Sequence, residues 1–135
     1  MNYACEVFHI FTNFGKNDYL LVGWNGCKTT EFSSEMYNDK YSLKEILFNV
    51  HKRRYCHVYL QDFIRKLYKN RLLVFVVIRS AWKDIVQQIE PFSTIVFYNL
   101  AMSKGDNGWL FTFYDNSKHP GRTLRITQKG SVVGK

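Results

Sequence analysis

Trp109-Leu110-Phe111-Thr112-Phe113-Tyr114, then Asp115-Asn116-Ser117-Lys118-His119-Pro120-Gly121, then Arg122-Thr123-Leu124-Arg125-Ile126-Thr127 is the stretch that decides the fold of this chain. Two short runs rich in aromatic and β-branched residues flank a cluster of turn formers, a pattern that predicts a β-hairpin. In the second run Leu124 and Ile126 share one face, while Thr123, Arg125 and Thr127 share the other. One face can pack on a core while the other offers positive charge to a partner. Beyond Asp115 there is no further acid, but Lys118, Arg122, Arg125, Lys129 and Lys135 follow. Such an end suits a polyanion, and RNA is the expected partner.

The 135 residues suit one domain, or a small domain with a long extension. A hydrophobic share of 46% supports a core and argues against global disorder. The formal net charge is +8, which favours nucleic acid or an anionic surface. Its distribution is uneven. Residues 1–48 carry four basic side chains against six acids, whereas Lys52, Arg53, Arg54, Arg65, Lys66, Lys69 and Arg71 stand against Asp62 alone in residues 49–71. Cys5, Cys27 and Cys56 are odd in number and widely spaced, so neither a zinc knuckle nor a disulfide framework is indicated, and a reducing compartment is the simpler reading. No secretory signal is evident. The longest apolar run, Leu72–Ile78, is too short to span a bilayer.

Tyr3–Phe14 and Tyr19–Trp24 predict two strands joined by the turn formers Gly15-Lys16-Asn17-Asp18, and Asn25-Gly26 marks a further turn. Residues 28–41 are polar and predict a loop. Ser42 and Glu45 have the spacing of a capping box at the start of a helix over 43–50. From there Tyr59, Leu60, Phe63, Ile64, Leu67 and Tyr68 recur at helical spacing beside Arg65, Lys66 and Lys69, an amphipathic basic helix over 58–70. Leu72–Ile78 predicts a buried strand, Trp82–Ile89 a short helix capped by Ser80, and Ser93–Tyr98 another strand. Ser103–Gly108 predicts a loop leading to the hairpin.

No phosphate-binding P-loop, dinucleotide fingerprint, zinc-protease motif or nucleophile elbow is present. Cys56 and His57 are adjacent, and neighbours on a helix diverge by about 100°, too far to make a nucleophile–base pair. Asp106, Asp115 and His119 are conceivable metal ligands of a nuclease, but both aspartates sit in turn sequences where Asp serves the backbone. The expectation is therefore no catalytic residue, no metal, no cofactor, no small-molecule substrate and no membrane.

From Arg79 onward the chain resembles the small-subunit ribosomal protein family numbered nineteen, in its bacterial and organellar form. The similarity rests on Arg79-Ser80-Ala81-Trp82-Lys83 entering a helix, on Ser93-Thr94-Ile95, on the run Phe111–His119, and on Arg125-Ile126-Thr127 with Val133-Gly134-Lys135. Gly-Pro-Phe after Lys83 and a glycine at position 117 are missing from the pattern. The resemblance implies an α+β fold, a short helix plus a small antiparallel sheet ending in the hairpin. Residues 79–135 would form the RNA-binding domain, and residues 1–78 a lineage-specific extension of mixed α/β character. It further implies a structural constituent of a divergent, mitochondrial small ribosomal subunit that contacts ribosomal RNA and neighbouring head proteins. Contacts to RNA would fall on Arg79, Lys83, Asn116, Lys118, His119, Arg122, Arg125 and Lys135. Lys129, and the second basic block at Arg53, Arg54, Arg65, Lys66 and Lys69, would add to them. Readings from the residues alone remain beside it: a free-standing RNA-binding protein of an A/T-rich virus, a small nuclease, and a membrane-surface protein acting through the 58–70 helix.

Overall fold

Alternation of apolar residues along the first hairpin builds the centre of the molecule. The computed structural model describes residues 1–30, 33–35, 41–53, 58–118 and 120–128. β1 (Tyr3–Phe14) and β2 (Asp18–Trp24) pair antiparallel across the predicted turn. Helices α1 (Leu43–Arg53) and α2 (Val58–Lys69) follow, then β3 (Val74–Ile78), a short 3-10 turn at Ser80–Trp82, α3 (Lys83–Val86), β4 (Thr94–Tyr98), β5 (Ala101–Lys104), β6 (Trp109–Phe113) and β7 (Thr123–Gln128). All seven strands join one sheet in the order β5-β6-β3-β2-β1-β4-β7. Strands from either side of Ile78 are hydrogen-bonded together, β1 to β4 and β3 to β6.

This sheet is rolled up. β4 and β5 are consecutive parts of one chain segment that bends at Asn99–Leu100, where Asn99 adopts φ 65°. The first part pairs with β1 and the second with β6. Leu100 also exchanges both backbone hydrogen bonds with Met1, extending the seam with β1. The two ends of the order β5-β6-β3-β2-β1-β4 are therefore the same bent strand, and five strands close into a barrel. Ring contacts across the interior agree: Tyr3 on β1 stacks on Phe111 of β6 at 5.2 Å, and Phe97 on β4 meets Phe113 of β6 at 5.0 Å.

Two apolar layers result. The barrel interior takes Val7, Ile10, Tyr19, Leu21, Val74, Val76, Ile95, Phe97, Phe111 and Phe113. The outer wall of β1, β2 and β3 carries Phe8, Phe11, Leu20, Val22 and Phe75, which pack under Ile46 and Val50 of α1 and Ile64 and Leu67 of α2. β3 is thus buried on both faces, which is why Leu72–Ile78 reads as a continuous apolar run. In β1 a bulge between Val7 and His9 reverses the alternation: Cys5 and Val7 face inward before it, and Ile10 after it. Burial raises the Cys5 thiol pKa to about 12, so Cys5 stays protonated near neutrality.

Several expectations are corrected here. β6 and β7 are not a hairpin. β6 runs antiparallel to β5, and β7 antiparallel to β4, so both run in the same direction beside the bent strand. Residues 114–122 leave that line and return to it. The sheet is mixed and larger than expected, because β3 and β6 pair in parallel. β5 runs into the loop expected from Ser103, since Ala101–Lys104 finds β6 as a partner. Ser80 does not cap the following turn with its side chain. Instead its amide donates to the Asp18 carboxylate at 3.0 Å. The assignment of faces on β7 stands: Leu124 is 4% exposed, and Arg125 points outward.

Leu124→Asp should lower stability by about 4 kcal/mol or more in urea unfolding, because it joins a lost core side chain to an unpaired buried charge. Arg125→Ala should stay within about 0.5 kcal/mol of the unaltered protein. At Gly23 an added Cβ would lie 2.2 Å from the Glu6 carbonyl oxygen. Gly23→Ala should therefore cost about 1–3 kcal/mol in the same measurement.

Candidate nucleic-acid interface

Where the chain departs from the line of β6, polar residues pinch the loop at its base. The Asn116 side-chain amide donates to the Arg122 carbonyl at 3.0 Å, and the Arg122 amide donates back to Asn116 Oδ1 at 2.9 Å. The Arg122 guanidinium donates to the Asp115 carbonyl at 3.1 Å and to the Asn99 carbonyl at 3.2 Å. The Asn99 side-chain amide donates to the Gly121 carbonyl. The residue at the barrel's bend is thus also the residue that holds the loop.

Opposite this loop stands the end of β3. Arg79 donates its backbone amide to the Phe113 carbonyl at 3.1 Å, and its Nε lies 3.4 Å from Asp18 Oδ2. Asp18, at the start of β2, therefore fixes both the arginine side chain and the Ser80 amide. The Trp82 indole donates to the Tyr114 carbonyl at 3.0 Å. Between the two walls lies a groove of about 540 Å³ lined by Arg79, Ala101, Tyr114, Asp115, Ser117, Lys118 and Arg122. Tyr114 is 44% exposed, and the Arg122 guanidinium sits over its ring at 5.7 Å. Three cations and an exposed aromatic ring converge, with one acid among them. That acid is internally engaged: Ser117 donates to Asp115 from its hydroxyl at 2.6 Å and from its amide at 3.2 Å. These bonds, with the charges of Arg79 and Arg122, hold the Asp115 carboxyl below its ordinary pKa.

Of the expected contact residues, Arg79, Lys118 and Arg122 meet in this groove, and Asn116 supports it. Lys83 lines a neighbouring depression with Thr12, Asn13, Asn17, Tyr19 and Ser80. Arg125 is exposed on β7. Arg65, Lys66 and Lys69 are exposed on α2, on the helical cover of the barrel, and line none of these depressions. Arg54, His119, Lys129, Lys135 and the side chain of Arg53 lie outside the described residues, as does the Cys56–His57 pair. Among the described residues no group of three or more His, Cys, Asp or Glu side chains is placed to hold a metal ion. Sequence reasoning missed Tyr114, Asp18 and Asn99. An Asn in a short polar break is a signal for positive φ, but the partners of Asp18 are 61 and 62 residues away and leave no local trace.

No protein-family model and no curated protein sequence matches this chain. Solved structures do. The crystal structure of Schizosaccharomyces pombe Pot1pC bound to ssDNA (CGGTTACGGT) superposes with TM-score 0.56 at 9% identity, covering 93% of this chain and 76% of that one. The crystal structure of fission yeast Pot1 and ssDNA gives TM-score 0.54 at 8% identity, covering 93% of this chain and 34% of that one. This chain thus spans about a third of the length of the second. Together with the closed five-stranded barrel, these likenesses settle the architecture. The fold is an OB barrel. Its strands are β1, β2, β3, the bent β4–β5 and β6; α1 and α2 are inserted between the second and third, and β7 is added after the last. The expected role as a constituent of a small ribosomal subunit is corrected by this: these two structures, matched over nearly the whole chain, are of Pot1 proteins with single-stranded DNA, not of ribosomal components.

In many OB barrels oligonucleotides lie against the second and third strands. Here α1 and α2 cover the outer wall of β2 and β3, whereas the groove at Arg79 and Tyr114 is open to solvent. Because Asp115 is depressed, its bonds stabilise the loop above the ordinary carboxylate pKa and are lost as pH falls through the lower folded value. In a carbon-13 carboxyl titration Asp115 should titrate below its ordinary value. In Ser117→Ala, which removes the hydroxyl donor, it should shift back upward.

Proposed function

We propose that this protein binds single-stranded nucleic acid, with the sugar-phosphate backbone crossing the groove between Arg79 and the 115–122 loop and one base stacked on Tyr114. The observation that carries this reading is the convergence of Arg79, Lys118 and Arg122 around a ring that is 44% exposed. Single-strand binders combine a cationic track with aromatic platforms, because phosphate supplies affinity and every base has a face to stack. The fold shared with Pot1 structures that hold single-stranded DNA supports it. The net charge of +8 adds long-range attraction.

The roles divide by chemistry. Arg122 is committed through Nε and Nη1 to the loop base, so its charge is fixed in position. Arg79 is held similarly by Asp18. Both present charge without the entropy loss of ordering a free side chain on binding. Lys118, exposed on the loop, offers a compact mobile charge. A paired duplex keeps its bases in the stack, so only a single strand can place one flat on Tyr114.

Fluorescence anisotropy with single-stranded DNA, single-stranded RNA and duplex of one sequence tests this. Single strands should bind more tightly than duplex. Tyr114→Ala should weaken binding by about 5- to 150-fold, the effect of one base–aromatic stack, with the salt dependence unchanged. Lys118→Ala should instead reduce the slope of log affinity against log salt by about 0.7. Preference for duplex, or indifference to both substitutions, would overturn the proposal.

A further inference from the structure

The barrel is left incompletely closed at one end. α3 is only four residues long, Lys83–Val86, and the register of β1 with β4 runs over Tyr3–Glu6, followed by Val7 bonded to Phe92 and Ser93. Between β1 and the short helix lies a slot of about 260 Å³. Its walls are Val7, Ile10, Tyr19, Val86, Ile89 and Pro91 together with the buried imidazole of His9, and Thr12 and Gln87 stand exposed at the rim. The slot is smaller than the usual range for drug-sized ligands. Its volume and mixed lining suit one heterocycle with polar edges: aliphatic side chains for the faces, and the polar groups of His9, Thr12 and Gln87 for the hydrogen-bonding edge.

Its position gives it a partner. Thr12 and Tyr19 line both the slot and the polar depression of about 370 Å³ that holds Asn13, Asn17, Ser80 and Lys83. Ser80 in turn is the chain neighbour of Arg79, which lines the basic groove. Slot, depression and groove therefore follow one another around the β3–α3 turn. Their lining changes along the way: mixed apolar and polar, then polar with one lysine, then cationic with one aromatic ring.

We infer that the slot between β1 and α3 receives a second, unstacked base of the same single strand, whose sugar-phosphate backbone runs from the Arg79 groove past Lys83. This rests on the function proposed above and adds a site that reads base shape where the groove reads charge. Lys83, singled out in the sequence but absent from the groove, becomes the phosphate contact between the two base sites.

Gln87→Trp places a large side chain at an exposed rim position and should block the slot, whereas Gln87→Ala leaves it open; circular dichroism checks that both fold. The probe is a single-stranded DNA of about 12 nucleotides, within the footprint of one OB fold, with iodouracil at successive positions for photo-crosslinking. The unaltered protein should give crosslinks to peptides containing Tyr114 and to peptides containing Tyr19. Gln87→Trp should abolish the Tyr19 crosslink, keep that at Tyr114, and weaken binding by about 5- to 150-fold without changing the salt slope. Gln87→Ala should keep both crosslinks. Binding with crosslinks confined to Tyr114, or a Tyr19 crosslink untouched by Gln87→Trp, overturns the slot assignment and leaves the groove standing. Failure of the unaltered protein to bind the oligonucleotide overturns both.

Discussion

The bend at Asn99–Leu100 is the constraint on which the rest depends. A straight strand over 94–104 could pair with one neighbour along each edge but could not join β1 at one end to β6 at the other around so small a circumference. Turning the chain at a residue with φ 65° redirects β5 onto β6 after β4 has been committed to β1. Asn tolerates this conformation better than most side chains, since its short amide can bond locally. Here that amide does more than tolerate the bend: it fastens the loop at Gly121. Closing the barrel and shaping the groove are thus consequences of one backbone decision.

A second consequence concerns charge. Arg79 and Arg122 come from distant parts of the chain, and the repulsion of like charges works against bringing them together. The structure offsets this with internal partners. Asp18 lies 3.4 Å from Arg79, and carbonyl oxygens of Asn99 and Asp115 accept from Arg122. Carbonyl partners leave the formal charge of Arg122 uncancelled, so the groove keeps its positive field while its side chains stay ordered. Asp115 is present but engaged by Ser117, which confines its negative charge to the loop's own donors.

Local elements were legible in the sequence. β1 and β2, the helix after Ser42, the basic helix of α2 and the strand before Ile78 follow from periodicity and turn chemistry. The faces of β7 could be read because alternation is a property of a strand whatever its partner. The partner itself could not. Trp109–Phe113 and Thr123–Gln128 look like the arms of a hairpin since the turn formers between them do close a loop, through Asn116 and Arg122. Nothing local says that the arms emerge pointing the same way; that depends on β4 and β5, which lie upstream. Nothing in the sequence of β1 marks the bulge at Val7–His9, which shifts the phase of its alternation. Of the candidate site, the basic residues were visible as composition, and three of them do meet. Tyr114 was hidden at the end of an apolar run, where an aromatic residue ordinarily reads as core. The ribosomal resemblance arose from the same order of short motifs, each too common to carry a fold.

The position of α1 and α2 changes how the barrel can work. By packing Ile46, Val50, Ile64 and Leu67 onto the outer wall of β1–β3, the insertion removes that wall from solvent and makes those strands apolar on both faces. A surface so covered cannot hold a polyanion, since desolvated phosphates facing Leu and Phe would lack partners. The outward face of α2 carries Arg65, Lys66 and Lys69, exposed to solvent, with Arg65 paired to Asp62 on the same helix at 3.2 Å. Charges of that kind attract at a distance and are screened by salt, but without a concave, ordered surface beneath them they fix no register. Specific contact requires a place where cations are held still and an aromatic face is open. Among the described residues that combination occurs where the bent strand, the end of β3 and the pinched loop meet.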